Sequence, residues 1–207
     1  MNNFELARDY FLDGCSFFEA EDFSQAEHKF IKSLELIPDR VSTLTNLSAA
    51  QLKLKKYSEA RVAAQKAISV ESDSSEAYLN LGLIELDLKN FESAIKFFDK
   101  ALSLKPDYAE AYSNKGATLN ELKRYDESIA HYDKAISLKP YYHKAWSNKG
   151  TTLDCLKRHS ESVKCYQKAI ELNIKDSYLL GLAHHQMMLV CDWTNYVNKI
   201  NEIFHLV

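Results

Sequence analysis

Apolar residues recur three and four positions apart along this chain, in bursts separated by short polar turns. That spacing places them on one face of an α-helix rather than alternately on the two faces of a strand. Between 109 and 138 the pattern predicts two helices, one from about Ala109 to Leu122 and a second from about Asp126 to Leu138. Lys123-Arg124-Tyr125 forms the turn, and Asp126 is the expected N-cap because its side chain can accept from the exposed N–H groups of the first turn. The same two-helix rhythm fills most of the chain, so the expected fold class is all-α.

The rare residues give the period of that rhythm. The three prolines are Pro38, Pro106 and Pro140, spaced 68 and 34 apart, and Gly14, Gly82, Gly116 and Gly150 are spaced 68, 34 and 34 apart. Laid out at 34, the chain gives five units, 7–40, 41–74, 75–108, 109–142 and 143–176, preceded by a short N-terminal helical extension. Position 4 of the unit holds Tyr10, Leu44, Tyr78, Tyr112 and Trp146, and position 8 holds Gly14, Ser48, Gly82, Gly116 and Gly150. Position 20 is small throughout (Ala26, Ala60, Ala94, Ser128, Ser162), and position 24 holds Phe30, Ala64, Phe98, Tyr132 and Tyr166. Small residues at 8 and 20 let two helix backbones approach, large ones at 4 and 24 fill the space around them, and a proline after the second helix fixes the chain's exit.

In this order of large aromatic, glycine, small residue, aromatic, alanine and proline, the chain resembles the tetratricopeptide repeat family over residues 7–176. The resemblance implies a right-handed solenoid of antiparallel helix hairpins, since one hairpin cannot bury its own apolar face and must stack on its neighbours. The second unit departs most, with Ser48 for glycine, Ala64 for the aromatic and Ser72 for proline. Lys115 and Lys149 stand where leucine is usual, which requires their stems to lie along apolar surface with the ammonium in water. Residues 177–207 lack the signature positions but keep the apolar rhythm, and are expected to form a C-terminal capping helix pair, near Tyr178–Val190 and from about Trp193 to Phe204.

Composition narrows the function classes. With 26 basic and 29 acidic side chains the net charge is −3, which disfavours nucleic-acid and anionic-membrane binding, both of which want clustered positive charge. The first nine residues have neither a basic nor an apolar leader segment, and the longest stretch without charge, 177–191, is too short to span a membrane. The four cysteines show no paired spacing, which fits reduced thiols in a cytoplasmic protein. His184 and His185, adjacent on a helix, point in different directions and do not make a metal site. No phosphate-binding loop, carboxylate pair or nucleophile motif is present, so the expectation is a non-enzyme without cofactor or metal.

Candidate recognition residues come from the first helix of each unit. Positions 2, 6, 9 and 13 share one stripe, which in tetratricopeptide solenoids lines the concave face. Position 6 reads Leu12, Asn46, Asn80, Asn114 and Asn148. An asparagine amide both donates and accepts, so it can pair with a peptide backbone whatever its side chains. First helices stacked about 10 Å apart would present one amide to about every third residue of an extended strand. Asn46, Asn80, Asn114 and Asn148 are therefore the candidate peptide-binding residues. The lysine at position 5 with asparagine at position 9 that would clamp a terminal carboxylate is absent from every unit.

Two uses follow. The first is a protein-interaction scaffold that holds an extended peptide or a partner helix in the concave groove. The second comes from Leu189-Val190-Cys191-Asp192-Trp193-Thr194-Asn195-Tyr196, similar to the stretch joining repeats to catalytic region in the O-linked N-acetylglucosamine transferase family. Ala111-Tyr112-Ser113-Asn114-Lys115-Gly116 and Ala145-Trp146-Ser147-Asn148-Lys149-Gly150 also read like that family's repeats. That resemblance implies an acceptor-binding arm whose glycosyltransferase domain is missing from this chain.

Overall fold

The computed structural model describes residues 2–172, which form ten α-helices and no strand. The helices expected over 178–190 and 193–204 lie outside the described residues, as do His184 and His185. The chain divides into two compact units, one ending at Pro106 and the other beginning at Asp107. In the first, α1 (Asn3–Glu19), α2 (Phe23–Leu36), α3 (Val41–Lys53), α4 (Tyr57–Val70), α5 (Ser75–Asp87) and α6 (Phe91–Leu104) pair into three hairpins. In the second, α7 (Ala109–Glu121), α8 (Tyr125–Leu138), α9 (His143–Cys155) and α10 (His159–Leu172) make two more.

Each hairpin turns on a left-handed residue that is not glycine: Glu21, Lys55, Lys89, Lys123 and Lys157 have φ of 58–61°. At the α7 end, Lys123 N–H donates to Asn120 O and Arg124 N–H to Leu119 O, both at 2.9 Å, satisfying carbonyls the helix would leave open. A left-handed residue with a Cβ costs on the order of 1 kcal/mol, which these bonds offset. The reversal is so tight that α8 already begins at Tyr125. Asp126 is thus not the N-cap: Arg124 occupies that place without a side-chain capping bond, and Asp126 lies in the first turn, where its charge still suits the helix dipole.

The glycines serve packing instead of turning. A Cβ on Gly82 would lie 2.6 Å from Phe98 Cδ1, and Gly14, Gly116 and Gly150 sit similarly close under Phe30, Tyr132 and Tyr166. All four rings are fully buried. In the second hairpin the exchange is reciprocal. Ser48 brings a side chain where glycine stood, Ala64 withdraws the ring opposite, and Ser48 Oγ donates to Ala60 O at 2.8 Å. Ser128 and Ser162 close the same helix crossing from the other side, donating to the carbonyls of Gly116 (2.8 Å) and Gly150 (3.0 Å).

Neighbouring hairpins meet in one manner within each unit. The second helix of a hairpin packs on the first helix of the next (α2 on α3, α4 on α5, α8 on α9). First helices also touch first helices (α1 with α3, α3 with α5, α7 with α9), while second helices make no comparable contact with one another. Lys149, at a position where leucine is usual, lays a largely covered stem across one such junction, and its ammonium reaches an exposed ion pair, Nζ lying 2.5 Å from Asp133 Oδ1 on α8. Replacing Lys149 with Met keeps the stem and removes a pair whose carboxylate is half exposed. The expected change in the urea midpoint corresponds to less than about 1 kcal/mol, and a loss above about 2 kcal/mol would show the pair to be structural.

Candidate functional site

The stripe at positions 2, 6, 9 and 13 is the open side of every first helix. On α3 it is Ser42, Asn46, Ala49 and Lys53, on α7 Glu110, Asn114, Ala117 and Glu121, and on α9 Lys144, Asn148, Thr151 and Cys155, all partly or fully exposed. On α5 Glu76, Leu83 and Asp87 are at least partly open, but Asn80 is only 7% exposed. Because first helices touch and second helices do not, this stripe lies on the inner side of each unit's stack.

The four asparagines divide into two pairs. Asn80 Nδ2 donates to the backbone carbonyl of Thr45 at 2.9 Å, tying α5 to α3. Asn46 Nδ2 lies 3.5 Å from Cys15 Sγ and ties α3 to α1. No side-chain hydrogen bond joins Asn114 or Asn148 to another described residue, and both amides are partly exposed. Their backbone carbonyls are engaged by Thr118 (2.8 Å) and Thr152 (3.1 Å) within the same helix. The cross-helix bonds of Asn46 and Asn80 escaped the reading of the sequence, although a signal was present. Position 6 is asparagine in the second to fifth units and leucine in the first, where Leu12 is 54% exposed.

Around these amides the stripe offers little that reacts. Burial pushes the Cys15 thiol up, against a lowering pull from the Asn46 hydrogen bond and the Arg40 charge. Cys165, pushed up to about 11 by burial, belongs to the packing of the fifth hairpin, as does Tyr166, whose phenol burial also raises. Among the described residues no group of histidine, cysteine and carboxylate side chains could hold a metal ion. A second concavity, a cleft of about 390 Å³ between α3 and α4, is lined by Leu44, Leu47, Val62 and Ala63 with Glu59 and Lys66. The inner stripe thus carries polar amides set among mostly small neighbours.

Residues 73–139 and 107–175 match the family model of the tetratricopeptide repeat. Over residues 73–175 the chain is built of tetratricopeptide repeats. No curated protein matches the sequence. Among solved structures, MamA is 27% identical, with 83% of this chain and 93% of that chain covered at a TM-score of 0.61. TTC0263, a thermophilic protein of this family from Thermus thermophilus, superposes with a TM-score of 0.80 at 19% identity, covering 88% of this chain and 99% of that one. YrrB, a tetratricopeptide protein described as having an unusual peptide-binding site, covers 84% of this chain and 89% of its own at 18% identity and a TM-score of 0.59. Among the described helices none is long and apolar enough to cross a membrane. Leu189 to Tyr196, which carries the likeness to the glycosyltransferase family, lies outside the described residues.

Proposed function

We propose that this chain is a cytoplasmic interaction scaffold whose first-helix stripe holds an extended peptide of a partner protein. The observation that carries the reading is the pair Asn114 and Asn148. They stand at the same position of adjacent first helices, partly exposed, with amides bonded to none of the described residues. Such amides can bond a backbone without reading its side chains. Asn46 has a second N–H and its Oδ1 for the same purpose, while Asn80 buttresses the stripe by holding α5 to α3. On this reading the chain is five 34-residue units with residues 177–207 closing the array. The unusual peptide-binding site of YrrB, a relative in fold, supports peptide binding as a use of this architecture.

Binding of fluorescein-labelled, unstructured random-sequence peptides to the native chain and to an Asn114→Ala/Asn148→Ala variant tests this. Two hydrogen bonds worth about 0.5–1.5 kcal/mol each predict a fall in affinity of about ten-fold at unchanged helicity. Unchanged affinity would remove the amides from the function. A second use of the same face, as the acceptor-binding arm of an O-linked N-acetylglucosamine transferase-like enzyme, rests on residues 189–196. A glycosyltransferase encoded by a continuing reading frame or an adjacent gene would favour it.

A further inference from the structure

The chain has five arginines, and four of them hold a carboxylate. Arg8 pairs with Asp9, Arg61 with Glu85, Arg124 with Glu127 and Arg158 with Glu161. Arg40 pairs with none of the described residues, although residues 1–40 contain nine acidic side chains against four basic ones. Its neighbour Asp39 is taken by Lys66 at 2.8 Å. The Arg40 guanidinium carbon lies 4.4 Å from the centre of the Phe11 ring, and its Nη1 is shut from solvent without a hydrogen-bond partner. Part of its hydration has therefore been given up with no anion in exchange, which is costly for a cation unless a ligand supplies one.

The placement of this residue is specific. Arg40 immediately precedes α3, as a helix N-cap whose side chain makes no capping bond. Phe11 beneath it stands on α1, one position before Leu12 of the inner stripe, and the Arg40 charge reaches Cys15 on that stripe. Asn46 lies one turn into α3 and contacts the same Cys15. The Phe11 ring covers part of the guanidinium, and the N-terminal end of the α3 dipole adds potential of the same sign.

We propose that Arg40 reads a carboxylate of the bound peptide at the N-terminal end of the stripe, while Asn46 holds the backbone beside it. The inference rests on the peptide-binding reading and adds a preference for acidic ligands. Nη1 is shut in, so the carboxylate accepts two parallel bonds from the Nε and Nη2 edge of the fork, and either an aspartate or glutamate side chain or the C-terminus of the peptide can supply it.

The experiment uses N-terminally fluorescein-labelled random octapeptide pools with Glu or Gln fixed at the fifth position, each with a free or amidated C-terminus. Anisotropy titrations with the native chain are expected to favour the carboxylate over its amide by about ten-fold. A Glu-over-Gln difference marks a side-chain source, and a free-over-amidated difference marks the terminus. The preference should vanish in Arg40→Gln and fall, without vanishing, in Arg40→Lys, which keeps charge but loses the fork. Far-UV circular dichroism checks that the variants fold, and the comparison on the native chain requires no variant. Binding of all pools without preference, or a preference that survives Arg40→Gln, would overturn the role of Arg40 and leave peptide binding standing. No binding of any pool to the native chain would overturn both.

Discussion

Phe98→Ala is expected to cost about 3–5 kcal/mol of stability, read as a fall in the urea midpoint. Phe98 is fully buried against the Gly82 backbone, so its removal deletes the contacts of a whole ring and leaves a void that a rigid helix crossing cannot close. Gly82→Ala attacks the same contact from the other side. Its new methyl would lie 2.6 Å from Phe98 Cδ1 of a fully buried ring, an overpacking cost of about 1–3 kcal/mol. The two should not add. In Gly82→Ala/Phe98→Ala the methyl enters the volume the ring has left, much as Ser48 and Ala64 coexist in the second hairpin. A cycle of the four proteins should therefore show a favourable coupling of about 1 kcal/mol or more. Additivity within error would mean that the crossing relaxes freely.

Arg61→Ala is expected to destabilise by about 3 kcal/mol, toward the lower end for a broken buried pair because the arginine is partly exposed. Glu85 is only 5% exposed and is held by two donors, the Arg61 guanidinium from α4 and Asn90 Nδ2 at 2.8 Å. Without Arg61 a buried carboxylate keeps a single neutral partner. Glu85→Gln in the same background removes the stranded charge, so the double variant should recover much of the loss. The preceding junction uses the same three unit positions with a different arrangement of charge. There Glu27 accepts from Gln51 at 3.2 Å and from Lys56 at 2.6 Å. Swapped charges at equivalent positions distinguish one junction from the next, a means of fixing the stacking order of similar hairpins. Failure of Glu85→Gln to rescue Arg61→Ala would place the cost in lost packing instead.

The hairpins were legible because their determinants are rare and local. A glycine, a small residue and a proline recurring at 34 leave little freedom in how two helices can cross. The turn was read too far along the chain, with Asp126 instead of Arg124 as the cap, because the left-handed residue at the reversal is a lysine and carries no glycine signature. Lys149 showed its apolar stem in the sequence but not its partner, since Asp133 belongs to the preceding second helix and comes close only on stacking. For the same reason the candidate site was half legible. Helical spacing placed the asparagines on one open stripe, but the donation of Asn80 to the Thr45 carbonyl depends on how closely two first helices approach. Nothing in the sequence distinguishes Arg40 from the other arginines, and only the folded arrangement of ion pairs sets it apart.

Side-chain amide resonances offer the most direct view of the proposed face. In a ¹⁵N-labelled native chain titrated with an unstructured octapeptide pool, the Asn114 and Asn148 amide groups should shift progressively and saturably. Asn80, already bonded and buried, should move little. Shifts confined to the cleft around Leu47 and Val62, with Asn114 and Asn148 unmoved at saturation, would contradict peptide binding on the inner stripe.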